Sequence, residues 1–303
     1  MLRLSGTIAF LFAITATLFW AGNAIVGKVL ADTIPAFSLN FWRWVLAFFI
    51  LIPFAAPKCF QQFSLIWKQR GLITLLSLLS ITVYNAFQYL ALQTTSPGNV
   101  GIITATMPAL ILMISTLFGQ HRIQTKDALG IGLAFSGVVL VMLSSKKGMS
   151  GINYGDIIML FAVLSFAFYS VLLRNISPEI HTAALLLCLI GIGILFSIPL
   201  YIWDLIYHPQ PLWFAGNTPI LLSYIAIFPA LASYFLWNMA VKRGGALVTS
   251  LSINMLPVFA LIFSVLFLQL NISFYQILSV LLVFVGTLVS LFFHQQTARL
   301  AKD

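Results

Sequence analysis

The sequence is short of charge, and above all of acids. Its 303 residues include only six aspartates and glutamates, and charged residues of both signs make up 7% of the chain, against about 25% in soluble domains. Apolar runs of about 20 residues, the length that crosses a bilayer core, recur from end to end. Too little polar surface remains to face water. This excludes a soluble globular protein and indicates a polytopic protein embedded in a lipid bilayer.

Motifs of catalysis and of cofactor binding are also absent from the sequence. Cys59 and Cys188 stand alone, without metal-ligand or redox spacing, and we interpret both as small packing residues. There is no HExxH, no GxSxG and no glycine-rich phosphate loop. Basic residues never exceed two in succession, so the formal charge of +9 does not indicate nucleic-acid binding. The sequence predicts neither an enzyme nor a cofactor, a metal or a nucleic-acid partner.

Ten apolar segments are predicted to cross the membrane. They lie near residues 6–29, 37–57, 71–92, 97–118, 126–145, 154–174, 182–203, 218–240, 246–268 and 274–294. With the N-terminus in the cytoplasm, the inner connections and tails contain eleven cations, and the outer ones only Lys28, Lys146 and Lys147. Positive charge accumulates on the cytoplasmic side. This predicts both termini in the cytoplasm. A membrane of the bacterial inner-membrane type is part of the hypothesis given below and does not follow from the charge count.

The chain contains an internal repeat. A shift of 149 residues aligns GTIAFLFAITATLFW at 6–20 with GDIIMLFAVLSFAFY at 155–169, and it places Pro108 on Pro257. We therefore divide the chain into two five-helix halves, residues 1–149 and 150–303. Because five is odd, the second half starts on the opposite side of the membrane, so the halves are predicted to be inverted repeats around a central cavity. Such halves can open the cavity to each side in turn, which favours a transporter.

Two segments carry a resemblance to a known family. They are ALQTTSPGNVGIITATMPALILMISTLFGQ at 91–120 and GIGLAFSGVVLVM at 130–142, each with a weaker copy in the second half. They resemble the drug/metabolite transporter superfamily and, within it, the EamA family. The resemblance implies an all-α membrane protein of ten helices that moves small organic solutes, often amino acids, by alternating access. That family commonly has a glutamate where this chain has Gln120 and Gln269, so a charge role there is absent.

Arg43 is the one cation that this arrangement leaves inside the membrane. Its neighbours at helical spacing are Ala36, Asn40, Ala47 and Ile50, a stripe that is mainly small or polar. This predicts that the face looks into the bundle. A charge near the bilayer centre costs about 2.5–3.5 kcal/mol. Two interpretations are open. Arg43 snorkels to the outer headgroups or caps helix carbonyls, or it lines the cavity and binds an anionic group of the substrate.

Carboxylates are missing from the middle of every predicted span. The six acids fall at helix ends or in connections, near the water: Asp32, Asp127, Asp156, Glu179, Asp204 and Asp303. Proton-driven export of cationic drugs usually needs a buried carboxylate whose pKa can shift, so this mechanism is disfavoured. Sodium coupling through backbone and hydroxyl oxygens stays open.

Twelve further polar or aromatic residues lie in the apolar spans and are candidates for a substrate site with Arg43. They are Trp20, Asn23, Asn40, Tyr84, Asn85, Gln88, Tyr89, Thr104, Tyr169, Tyr234, Asn238 and Asn254. An amide in hydrocarbon needs a partner or a wet cavity, whereas hydroxyl groups also serve helix packing. Aromatic faces attract cations. A zwitterion with its carboxylate at Arg43 would satisfy the whole set.

Pro108 and Pro257 occupy matching mid-helix positions and are predicted hinges, because each removes a backbone hydrogen bond. The leading hypothesis is a secondary transporter of amino acids or similar polar metabolites. Export is implied by the resemblance alone. The alternatives are an exporter of lipophilic drugs and a carrier of nucleotide sugars or phosphorylated solutes.

Overall fold

The structure is a computed structural model, and it describes residues 2–119, 125–144, 153–208, 216–245, 249 and 251–300. Within these ranges the chain forms helices and no strands. Of the positions discussed above, Gln120, Lys146, Lys147 and Asp303 lie outside the described residues. The all-helical class expected from the sequence is confirmed for the described part.

Long apolar helices account for most of the chain. They are α1 (Leu2–Leu30), α2 (Ala36–Gln61), α3 (Arg70–Thr94), α4 (Pro97–Leu117), α5 (Thr125–Ser144), α6 (Tyr154–Asn175), α7 (Thr182–Tyr207), α8 (Thr218–Gly244), α9 (Met255–Leu268) and α10 (Phe274–Leu300). A short helix, Phe63–Lys68, lies between α2 and α3. Seven of the long helices, α1–α4 and α6–α8, are long and apolar enough to cross a membrane. The apolar parts of α5, α9 and α10 are shorter over the residues described, so ten crossings remain a prediction.

Local capping signals set several helix starts. Pro97 occupies the first turn of α4, where a missing N–H costs nothing, and the Ser96 side chain accepts from the Asn99 backbone N–H at 3.2 Å. Asn153 caps α6 by accepting from Gly155 N at 2.9 Å. These contacts satisfy backbone donors that a helix N-terminus leaves without partners.

The helices pair in a pattern that is unchanged when the two halves are exchanged. Extensive contacts join α2 with α7, α4 with α9, and α5 with α10. Each helix of the first half corresponds to the helix five places later, so that α2 corresponds to α7. When every helix is replaced by its counterpart, each of these three pairs maps onto itself. The α1–α8 contact maps onto the α6–α3 contact, and both are extensive. Corresponding helices therefore have corresponding neighbours.

Both halves depart from regular α-helix at matching positions. The segments Leu78–Tyr84 of α3 and Ala226–Ala232 of α8 are π-helical, a distortion often found at functional sites. A break in α4 lies between Thr104 and Met107, directly before Pro108. A 3₁₀ turn, Leu251–Asn254, lies just before Pro257. The irregular backbone lies where the hinges are predicted, while movement there remains a prediction.

Glycines allow α5 and α10 to meet backbone to backbone. A Cβ atom added to Gly286 would lie 2.6 Å from both Ala134 N and Gly130 O, and one added to Gly137 would lie 2.8 Å from Ser279 O. Gly132 on the same helix faces open space. Because small residues at a crossing let membrane helices approach closely, this pair depends on the absence of side chains at Gly137 and Gly286.

The exterior of the bundle is apolar, and polar side chains are buried in its interior among apolar ones. Large apolar side chains are exposed on the outside, among them Phe54, Phe60, Leu117, Ile220 and Phe274. Asn40 and Arg43 of α2 are 0% exposed. An exterior made of large apolar side chains suits a protein that is solvated by lipid.

Two acids expected near water are buried. Asp156, in the first turn of α6, is 0% exposed and accepts from the Thr95 hydroxyl. Asp204, in the last turn of α7, is 3% exposed and accepts from the Ser38 backbone N–H at 2.7 Å. Their helix-end positions are as predicted. Neighbouring helices cover Asp156 completely, whereas Asp204 lines a cavity at the end of α7.

The two cysteines are neighbours in the fold. Cys59 of α2 and Cys188 of α7 are free thiols whose sulfurs lie 3.9 Å apart. They are isolated in the sequence but not in the fold, and the interpretation of both as packing residues stays a prediction. Sequence spacing reports local clusters only, and these residues meet because α2 and α7 pack along their length.

Candidate functional site

Arg43 lies on the inward face of α2 and is 0% exposed. Its Nη1 donates to the Tyr89 hydroxyl at 2.7 Å, to Asn85 Oδ1 at 2.9 Å and to Asn23 Oδ1 at 3.3 Å. The three partners belong to α1 and α3. Because the guanidinium group is enclosed by side chains of these helices, the interpretation that Arg43 snorkels to the headgroups is wrong for this structure.

The charge of Arg43 interacts with neutral polar side chains and with aromatic rings. The guanidinium carbon lies 4.6 Å from the ring centre of Trp44 and 5.6 Å from that of Tyr89, distances at which an aromatic face attracts a cation. Among the described residues, no carboxylate lies within ion-pair distance of it. Its Nε and Nη2 atoms are buried without a hydrogen-bond partner. One edge of the guanidinium is occupied and the other is free.

A hydrogen-bond network extends the polar side of the site. The Tyr89 hydroxyl donates to Asn23 Oδ1 at 2.7 Å, and Asn23 Nδ2 donates to Gln88 Oε1 at 3.2 Å. Asn85 Nδ2 donates to the Tyr234 hydroxyl at 2.6 Å. These bonds hold the three oxygen atoms that Arg43 contacts, so the orientation of the guanidinium is set by its neighbours.

Aromatic rings form the other side of the site, around Phe166 of α6. Its ring centre lies 4.6 Å from that of Tyr84, 5.0 Å from Tyr169 and 5.5 Å from Trp20. The rings of Tyr234 and Trp237 lie 5.9 and 5.8 Å from it. Edge-to-face and tilted contacts at these distances are favourable. The cluster offers a flat or apolar group a surface next to the polar network.

Residues related by the repeat meet in this region. Asn85 and its counterpart Tyr234 are hydrogen-bonded and 149 positions apart. The pairs Trp20 with Tyr169 and Tyr89 with Asn238 have the same separation in the sequence, and Tyr169 donates to Asn238 Oδ1 at 2.5 Å. The site therefore lies where the two halves of the chain face each other.

Ten of the thirteen predicted residues join these two sides: Trp20, Asn23, Arg43, Tyr84, Asn85, Gln88, Tyr89, Tyr169, Tyr234 and Asn238. Asn40 is one contact removed, since its Oδ1 accepts from Trp44 Nε1 at 3.0 Å. The Thr104 hydroxyl donates to Val100 O of its own helix at 2.6 Å. Asn254 is buried in the turn before α9.

Three central residues were absent from the predicted set: Trp44, Phe166 and Trp237. Phe166 is 0% exposed and lies three positions before Tyr169, on the same face of α6. That spacing was the available signal. This signal is weak, because a phenylalanine side chain packs equally well against lipid.

The site is closed in this structure. None of the thirteen predicted residues exposes more than 4% of its surface. A cavity of about 670 Å³ lies elsewhere, between the α1–α2 connection and the end of α7, and Asp32, Trp203, Asp204 and His208 are among its lining residues. A solute can reach Arg43 only after the helices around it separate.

The profile of the EamA-like transporter family matches residues 7–143 and again residues 153–292. The chain belongs to this family. The helical bundle, the buried polar centre and the apolar exterior agree with a membrane transporter, and the resemblance inferred from the two segments is confirmed. The second match begins close to the predicted boundary between the halves.

Relatives with similar sequences are also transporters by name. Over 278 residues the chain is 25% identical to the uncharacterized transporter YetK of Bacillus subtilis (strain 168), covering 88% of this chain and 82% of YetK. It is 27% identical to the uncharacterized transporter sll0355 of Synechocystis sp., covering 94% and 89% of the two chains. A solved crystal structure of a protein matches with a TM-score of 0.67 and 19% identity, covering 95% of this chain and 98% of its own. That likeness shows the fold.

Proposed function

We propose that this EamA-family transporter is a secondary carrier of small organic solutes that bear a carboxylate, amino acids or related metabolites among them. Export by alternating access, from a bacterial-type inner membrane, is part of the proposal. Charged and polar groups buried inside a membrane protein usually mark a substrate or ion pathway, and Arg43 is such a group at the meeting point of the two halves.

The observation that carries the proposal is the free edge of Arg43. A buried donor without an acceptor costs about 1–3 kcal/mol, and more when the donor is charged. Nε and Nη2 form the edge of a guanidinium group that can bind a carboxylate through two parallel hydrogen bonds. Because Nη1 is held by Asn23, Asn85 and Tyr89, this free edge is already oriented. A substrate carboxylate supplies the missing acceptors.

Alternating access is supported by the symmetry of the helix contacts. Contacts between corresponding helices, π-helical segments at corresponding positions and two matches to one family profile favour two inverted five-helix repeats with ten crossings. Residues 1–149 and 150–303 form these repeats in the proposal, with both termini in the cytoplasm. Exchange of conformation between the halves opens the closed site to each side in turn.

A second candidate is an exporter of lipophilic drugs. The observation that favours it is the aromatic cluster around Phe166, which can accept a flat apolar solute without any charge. The two candidates differ in their dependence on Arg43, because a neutral or cationic drug gains nothing from a guanidinium group.

Counterflow in proteoliposomes tests the proposal. Protein is reconstituted with a high internal concentration of one unlabelled amino acid or small organic acid, and uptake of the labelled solute is followed for a panel of such compounds. Counterflow needs no coupling ion, so it reports carrier activity alone. We expect exchange of at least one carboxylate solute, and a loss of about tenfold to a hundredfold in Arg43→Gln, because charge-assisted hydrogen bonds to the substrate are removed.

Arg70→Gln is the matched control. Arg70 also lies near a tryptophan, 4.9 Å from the ring centre of Trp67, but it is exposed at the start of α3. Its substitution should leave exchange unchanged. If Arg43→Gln transports carboxylate solutes as well as the native protein does, the carboxylate proposal is wrong. Dye export that survives the substitution, with no carboxylate exchange in either protein, supports the drug exporter instead.

A further inference from the structure

Two more buried hydrogen-bond donors in this region lack a partner. They lie on the aromatic side of the site, whereas Arg43 lies on the polar side. Trp237 Nε1 and Asn238 Nδ2 have no hydrogen-bond partner, and both residues are 0% exposed. They are consecutive in α8. The Trp237 ring packs against Trp20, with ring centres 5.2 Å apart, and against Phe166. The aromatic side of the site therefore also has a polar end.

The oxygen acceptors of the neighbouring amides are all engaged. Asn23 Oδ1 and Asn85 Oδ1 accept from Arg43, Gln88 Oε1 accepts from Asn23, and Asn238 Oδ1 accepts from Tyr169. The unpaired atoms at both ends of the site, on Arg43, Trp237 and Asn238, are thus all nitrogen donors. A site with surplus donors at two ends is complementary to a solute that brings acceptors at both ends.

We propose that Trp237 and Asn238 form a second polar pole that selects carboxylate solutes carrying another acceptor group at their far end. The proposal rests on the proposed function, since Arg43 holds the first carboxylate. The second group is a carboxylate, a carbonyl or an amide oxygen. The body of the solute, apolar or aromatic, packs between the poles on the Phe166 cluster. A solute with an ammonium group at its far end binds less tightly, because that group leaves the Trp237 and Asn238 donors without acceptors.

Tyr234 contacts residues at both poles. Tyr234 is bonded to Asn85 at the Arg43 end, and its ring centre lies 6.4 Å from that of Tyr169, the partner of Asn238. This arrangement sets a preferred solute length. Binding should therefore pass through an optimum as the chain between the two acceptor groups grows.

Binding to the purified protein tests the inference. Tryptophan fluorescence, to which Trp20, Trp44 and Trp237 of the site contribute, reports titration with linear dicarboxylates from succinate to suberate. For each length, the monocarboxylate and the amino acid with a terminal ammonium are titrated in parallel. We expect the best dicarboxylate to bind about tenfold more tightly than either analogue, the gain typical of hydrogen bonds to a charged group.

Trp237→Phe keeps an aromatic ring and removes only the donor. It should abolish most of this tenfold preference, so that the affinity for the dicarboxylate falls about tenfold more than the affinity for the monocarboxylate. Trp20→Phe is the control, because its Nε1 already donates to Pro229 O at 3.2 Å. It should change the affinities for both solutes alike. Asn238→Leu provides a second variant that loses a donor at the same pole.

The outcomes separate this inference from the proposed function. Equal affinities for the three solute types, all lost in Arg43→Gln, would overturn the second pole and support the Arg43 site. A dicarboxylate preference that persists in both Trp237→Phe and Asn238→Leu would also overturn it. Failure of every carboxylate to bind would overturn both proposals.

Discussion

Replacing Gly286 of α10 with alanine should push apart two helices that now touch through their backbones. The new Cβ would lie 2.6 Å from Ala134 N and from Gly130 O, and neither backbone atom can rotate away. The helices must separate by roughly 1 Å, and such overpacking typically costs about 1–3 kcal/mol. Alanine is also the better helix former by about 1 kcal/mol, which offsets part of this cost.

Gly132→Ala isolates the steric part of the effect. Gly132 is also inside a helix of this pair, but a Cβ there meets no atom within 4 Å. Gly132→Ala should be stabilised by the higher helix propensity of alanine and should suffer no steric clash. The free energies of unfolding of the two variants should therefore differ by about 1–3 kcal/mol. The assay is the temperature at which half of the detergent-solubilised protein remains monodisperse. Equal midpoints for the two variants would refute the close crossing of α5 and α10.

Three other perturbations address the site and its movement. Tyr89→Phe removes a hydroxyl that accepts from Arg43 at 2.7 Å and should raise the half-saturating solute concentration in counterflow about threefold to tenfold. Oxidation with diamide, which is itself reduced to the hydrazine, should join Cys59 to Cys188 and stop counterflow by fixing α2 to α7. Pro108→Ala restores a backbone N–H at the break in α4 and should slow exchange with little change in solute affinity.

Each of these has its own control. Tyr234→Phe removes a hydroxyl that contacts Asn85 and Ser80 but not Arg43, so its effect should be smaller than that of Tyr89→Phe; the reverse order would count against Arg43 as the binding group. Cys188→Ser should make counterflow insensitive to diamide. An undiminished exchange rate in Pro108→Ala would remove the hinge role.

The sequence was most informative where a residue type conflicts with its surroundings. An arginine or an asparagine in a long apolar run has few energetically acceptable positions, so Arg43, Asn23 and Asn85 were candidates for the interior, and all three are buried. For Arg43 the sequence left snorkelling open as well. The shift of 149 residues also related residue pairs that meet in the fold, such as Asn85 and Tyr234.

The sequence was least informative where two environments favour the same residue. Phenylalanine suits both lipid and an aromatic cluster, so Phe166 at the centre of the site and Phe54 on the outside carry the same local signal. The proximity of Cys59 to Cys188 depends on how α2 packs against α7, which no local spacing encodes. The burial of Asp156 has the same origin, since a helix end is covered or exposed according to its neighbours.

The most direct measurement of the central claim is a thermodynamic cycle that varies Arg43 and the charge of the solute together. The affinity of purified protein is measured for a carboxylate solute that exchanges in counterflow and for its neutral primary amide, with arginine, lysine or glutamine at position 43. If the guanidinium binds the carboxylate, Arg43→Gln should weaken carboxylate binding by about tenfold or more and change amide binding by less than about twofold, with Arg43→Lys in between. Parallel losses for both solutes, or none for either, would contradict the account.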